Sequence, residues 1–125
     1  MKEIVLSEKA PMPFGPYSQA LKVGKFAFVS GQLAVDPRVG RIVAEGVVLQ
    51  TRQVMENVRV ILEAAGCGLK DVVQCSVFLS SMALFDEFNE EYARFFEGNF
   101  PARTTVGAEL KAGALVEVSV VAYKD

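Results

Sequence analysis

The sequence predicts an α+β fold, a mixed β-sheet with two helices packed on one face, and three observations predict it. Apolar residues recur with helical period from Val47 to Ala65 and again from Leu84 to Phe96. Around and between these stretches lie Val- and Phe-rich runs of strand length. Two such runs, 18–23 and 26–30, are separated by Gly24-Lys25 alone, the spacing of a hairpin closed by a two-residue turn. A chain of 125 residues has room for one core and is read as one domain, 1–125.

Taken in order, Lys2 to Leu6 reads as a short strand. Ala10-Pro11-Met12-Pro13-Phe14-Gly15-Pro16 follows, and its three prolines forbid a regular ladder. After the hairpin, Gly31 closes the second strand, and Asp36-Pro37-Arg38-Val39-Gly40 is a strong turn signal. In the first helix Val47, Thr51, Val54, Met55, Val58, Ile61, Leu62 and Ala65 form one stripe. Arg52, Glu56, Arg59 and Glu63 lie opposite at spacings that pair unlike charges, and Gly66 is placed to end the helix. Val72 to Leu79 is apolar on both faces and so belongs in the interior of a sheet. Ser80-Ser81 offers an N-cap for the second helical stripe, which runs to Gly98. Two further strands, 103–108 and 115–122, flank Leu110-Lys111-Ala112-Gly113. The order is β-β-β-α-β-α-β-β.

Composition narrows the chemistry. There is no His, so no imidazole exists to serve a Ser-His-Asp or Cys-His nucleophile. The two cysteines, Cys67 and Cys75, are not in a CxxC pair and are too few for a structural zinc site; no metal is expected. Cys75 alternates with Val73 and Val77 and reads as a small core residue. Net charge is −2 with Lys and Arg scattered, which leaves no basic stripe for nucleic acid. No apolar run approaches the roughly 18 residues of a spanning helix, and Met1 to Leu6 is too short and charged for a signal peptide. The expected compartment is the cytosol, with no membrane partner. Apolar residues reach 51%, which either a sheet-rich core or apolar surface buried against other subunits would explain.

Five residues stand out as chemistry. Arg103 opens a strand with Thr105 on its face. It reads either as a surface cation or as a bidentate grip on a carboxylate. Glu117 shares a face with Ser119 and Val121; it reads either as a solvated carboxylate or as a partly desolvated acid/base with a raised pKa. Tyr17 follows the proline loop, which can fix its ring. Ser30-Gly31 ends the hairpin, where glycine permits close approach by a ligand.

Together these segments resemble the RidA/YjgF family. The resemblance is carried by Gly15-Pro16-Tyr17-Ser18-Gln19-Ala20 and Phe28-Val29-Ser30-Gly31-Gln32. It continues through Gln53-Val54-Met55-Glu56-Asn57-Val58, Leu62-Glu63-Ala64-Ala65-Gly66, Phe100-Pro101-Ala102-Arg103-Thr104-Thr105-Val106 and Val116-Glu117-Val118, in order over nearly the whole chain. It implies a chorismate-mutase-like α+β fold assembled as a homotrimer, with sites in clefts between subunits. It implies hydrolysis of reactive enamines and imines such as 2-aminoacrylate to 2-oxo acids and ammonia, without a cofactor. By position it implies that Arg103, Glu117 and Tyr17 are catalytic, with Arg103 binding the substrate carboxylate and Glu117 handling the catalytic water, and that Tyr17, Ser30, Gly31, Asn89 and Thr105 surround the ligand. A trimeric small-molecule binding or regulatory protein without turnover is the alternative, and an endoribonuclease or translation inhibitor the third. The sequence departs from the family at Thr105, where many members carry cysteine, and at Leu110 to Leu115, which lacks the usual Leu-Pro.

Overall fold

Val23 pairs with Phe26 across Gly24-Lys25, so β2 (Ala20–Val23) and β3 (Phe26–Gln32) form the expected hairpin. The structure is a computed structural model and describes all 125 residues, Met1–Asp125. β1 (Lys2–Val5) adds antiparallel to β2. A two-stranded ladder not foreseen in the sequence, β4 (Val35–Asp36) with β5 (Arg41–Ile42), brackets the Asp36-Pro37 turn. There follow α1 (Gly46–Ala64), β6 (Val72–Leu79), α2 (Phe85–Ala93), β7 (Ala102–Gly107) and β8 (Val116–Tyr123).

The six-stranded sheet runs β1-β2-β3-β8-β6-β7. β7 and β8, which flank one loop in sequence, are not neighbours. β7 lies parallel to β6 at the sheet edge, with α2 as the crossover that a parallel pair requires. β8 enters antiparallel between β3 and β6, in the centre of the sheet.

Strand alternation gives the sheet two unlike faces. Ala20, Ala27, Val29, Cys75, Val77, Leu79, Val116, Val118, Val120 and Ala122 are buried beneath the helices. α1 seals them with Val54, Met55, Val58, Ile61 and Leu62, none of which is exposed to solvent. The opposite face is covered by nothing in the chain. It presents Ile4, Val23, Phe26, Phe28, Val106 and Tyr123, all at least 37% exposed.

Local features depart from expectation in four places. A register shift between Val72 and Gln74 turns Val73 outward, so Cys75 packs with Val77 but not with Val73. α2 ends at Ala93, because the Phe95 and Phe96 amides bond the Tyr92 and Ala93 carbonyls in tighter i to i−3 turns. Arg52 reaches Glu91 of α2 at 3.1 Å, while Arg59 alone takes both Glu56 and Glu63. Of the expected caps, the one at Gly66 is present, whereas α2 starts after Leu84 with no side-chain cap and Ser81 serves the turn before it. Gly66 adopts a φ of 82° past the end of α1, and Ser81 accepts the Ala83 amide at the short 3-10 turn leading into α2.

Candidate active site

Three buried amides fix the segments that carry the candidate residues. Gln19 donates to the carbonyls of Ser7 at 3.1 Å and Pro11 at 2.9 Å and accepts the Ser7 amide at 2.7 Å, tying down the proline loop. Gln50, on α1, donates to Gly113 O and accepts Leu115 N, each at 2.9 Å, and so sets the entry of β8. Asn57 donates to the carbonyls of Leu33 at 3.1 Å and Val35 at 2.9 Å, just beyond β3. The sequence stripe placed neither Gln50 nor Asn57 in the interior. Their signal is faint, a polar residue three and four positions from apolar members of the stripe (Val47 and Val54, Val54 and Ile61), because only partners distant in sequence satisfy them.

Ser30 and Gly31 sit in a β-bulge. Val29 pairs with Val120 and Gln32 with Val118, so two residues of β3 face Ser119 alone. The Ser30 hydroxyl donates to Ser18 O at 2.6 Å and its amide to Gln19 O at 2.9 Å, which anchors the stretch carrying Tyr17. Phe14 meets the Tyr17 ring edge-on, with centroids 6.3 Å apart. The room at Gly31 is filled by Glu117. A Cβ on residue 31 would lie 2.3 Å from Glu117 Oε2 and 2.9 Å from its Cδ. The lack of a side chain at residue 31 thus makes room for the Glu117 carboxylate. Glu117 itself is half-buried, and burial raises its pKa above the ordinary carboxylate value. No cation pairs with it.

Arg103 is placed differently. It lies on the helix side of the edge strand β7, in register with Cys75 of β6. Its guanidinium carbon stands 4.9 Å from the Tyr92 ring centroid, 5.4 Å from Phe88 and 5.7 Å from Phe85. No carboxylate pairs with it, so π faces hold the cation and the planar donor fork has no counter-ion in the chain. Arg103 lines a hollow with Asn89, Tyr92, Ala93, Phe100 and Pro101. Two buried oxygens in this region, Asn89 Oδ1 and Thr105 Oγ1, have no hydrogen-bond partner. The aromatic cradle went unrecognised in sequence, where Phe85, Phe88 and Tyr92 read only as core; their i, i+3, i+7 spacing was the available signal.

The candidates therefore fall into two groups on opposite faces of the sheet. Tyr17, Ser30, Gly31 and Glu117 belong to the uncovered face and its rim; Arg103, Thr105 and Asn89 belong to the helix side at the β7 edge. β6 and β8 separate the strands of Arg103 and Ser30, a lateral distance of about 14 Å at the usual strand spacing. An amino-acid-sized ligand cannot touch both groups of one chain. The structure brings together no cluster of three or more His, Cys, Asp or Glu side chains that would hold a metal ion.

The profile of a family described as Endoribonuclease L-PSP, the RidA/YjgF proteins, matches residues 7–124. The chain belongs to that family. A RutC family protein of Pyrococcus horikoshii is 47% identical over 126 residues, covering 100% of both chains. A mouse protein named 2-iminobutanoate/2-iminopropanoate deaminase is 39% identical, over 99% of this chain and 93% of its own. The crystal structure of E. coli TdcF with bound serine superposes with a TM-score of 0.93 at 33% identity, covering 98% of this chain and 99% of that one. The α+β arrangement, two helices on one face of a mixed sheet, is accordingly the RidA/YjgF fold. No helix is long and apolar enough to cross a membrane.

Proposed function

We propose that this RidA/YjgF protein is an enamine/imine deaminase that converts 2-imino acids and their enamine tautomers to 2-oxo acids and ammonia. The observation that carries the reading is the pair of unmatched groups: a guanidinium with no counter-ion and a half-buried carboxylate with no cation, on opposite faces of one sheet. Such groups complement a small substrate that bears a carboxylate at one end and needs proton transfer and water at the other.

A second copy unites them. The uncovered apolar face is far from the scattered exposure of an ordinary monomer surface, and a homotrimer that buries it lays the Glu117 group of one copy beside the Arg103 group of the next. In that cleft Arg103 holds the substrate carboxylate through two donors. Asn89 Oδ1 and Thr105 Oγ1, both lacking partners in the chain, face its polar atoms. Tyr17, Ser30 and Gly31 border the reacting end from the other copy. Protonation of the enamine at Cβ gives the iminium ion, the protonated form of the imine. Water adds to C2 as Glu117 takes its proton; that proton passes to the carbinolamine nitrogen, and the C–N bond breaks as the hydroxyl becomes the 2-oxo group, releasing ammonia. Protein side chains suffice for each step, and the ligands are small carboxylate-bearing enamines, imines or 2-oxo acids.

The test couples the protein to threonine dehydratase and follows decay of the released imine with and without the trimer. Faster decay that Glu117→Gln abolishes is the expected result. Binding of 2-oxobutanoate without any acceleration would replace the reading with the ligand-binding alternative. Tight, salt-sensitive RNA binding would favour the nuclease instead, against a net charge of −2.

A further inference from the structure

We propose that Tyr92 is a positioning residue for Arg103, its ring aiming the guanidinium fork and its hydroxyl tethered to Cys75. The inference rests on the reading of Arg103 as the carboxylate grip. Tyr92 is buried at 4% exposure and is the nearest of the three rings to the guanidinium. It is wedged between Phe88 and Phe96, with centroid distances of 5.3 and 5.0 Å.

The tether is what separates Tyr92 from a ring that merely fills space. Its O–H donates to Cys75 Sγ at 3.2 Å, and Cys75 is the register partner of Arg103 across β6 and β7. A rigid triangle results: α2 supplies the ring, β6 supplies the anchor, and β7 supplies the cation that the ring faces. Burial pushes the titration of both Tyr92 and Cys75 upward, so the hydroxyl stays a donor at any working pH. A guanidinium held by an ion pair would surrender its donors to that partner. One held by a π face keeps them in the guanidinium plane, free for a planar carboxylate.

The experiment measures 2-oxobutanoate binding by calorimetry and imine hydrolysis kinetics on trimeric protein. Tyr92→Leu should raise both Kd and KM about tenfold, the size of a partly desolvated cation–π contact, with kcat within about twofold. Tyr92→Phe keeps the ring and should recover most of that loss, leaving a rise of about two- to threefold from the missing tether. In the Arg103→Ala background Tyr92→Leu should cost nothing more, because both act through one group. Unchanged Kd in Tyr92→Leu, a loss confined to kcat, or full additivity with Arg103→Ala would overturn the positioning role. If Arg103→Ala itself leaves Kd unchanged, the carboxylate grip fails, which is a separate result. Should Tyr92→Leu not fold, Tyr92→Phe decides the matter, and an unaltered Kd there refutes the tether.

Discussion

Gly31→Ala isolates the geometry of Glu117 without touching an ionisable group. The added methyl would sit 2.3 Å from Glu117 Oε2, whereas ordinary contact begins at 3.4 Å, so the carboxylate must retreat by about 1 Å. The backbone at residue 31 lies outside the left-handed region, so alanine suits its conformation and the β-bulge persists. The atom that moves is the end of a half-exposed side chain, so the fold is spared and the site is not. A 1 Å displacement of a group acting on water costs on the order of 10²-fold in rate. Imine hydrolysis should therefore fall by about one to two orders of magnitude in kcat, while 2-oxobutanoate still binds through Arg103. The assay is the dehydratase-coupled decay, with thermal unfolding as control for the fold. In a Glu117→Gln background the same methyl should cost little more, because the group it displaces no longer acts. Full activity of Gly31→Ala would refute the claim that the Glu117 position is set by the glycine. A collapse of trimer stability would show that residue 31 matters to the fold first.

Three further outcomes are expected. Arg103→Lys keeps the charge but loses the planar fork, and kcat/KM should fall about ten- to hundredfold, nearly as far as for Arg103→Ala, in steady-state assays. Burial raises the Glu117 pKa, so its ionisation opposes folding. Glu117→Gln should raise Tm at neutral pH, and the gain should vanish as pH falls through the carboxylate range, because a raised folded pKa favours folding only while the group stays protonated. The same shift predicts that the acid limb of the pH–kcat/KM profile lies above the ordinary glutamate range and disappears in Glu117→Gln. Phe28 lies on the uncovered face at 43% exposure; the proposed homotrimer predicts a particle of about three times 13.6 kDa that Phe28→Glu converts to monomers without turnover. Light scattering reads the mass, and circular dichroism should find the fold intact.

Much of this protein was legible in the chain itself. The heptad-like stripe from Val47 to Ala65 could only be a helix with one buried face, and Gly24-Lys25 could only close a tight hairpin, because both signals are local: a period or a turn preference depends on neighbours a few residues away. Arg103 and Thr105 share a face for the same reason, and the ordered run of motifs gave the RidA/YjgF family. What tertiary structure decided was everything that depends on pairing at a distance. β8 lies between β3 and β6 although its sequence neighbour β7 lies at the edge, since a crossover through α2 makes β7 the parallel partner of β6. The register between β3 and β8 leaves Ser30 and Gly31 together opposite Ser119 and fills the glycine space with Glu117. The aromatic stripe of α2 holds the guanidinium because the sheet edge brings Arg103 to it. Alternation along β7 and β8 fixed on which face each charge stands, but only the assembled sheet made those faces opposite. That arrangement splits the candidate residues between the two faces of the sheet, which is why the proposed reaction calls on a homotrimer to reunite them.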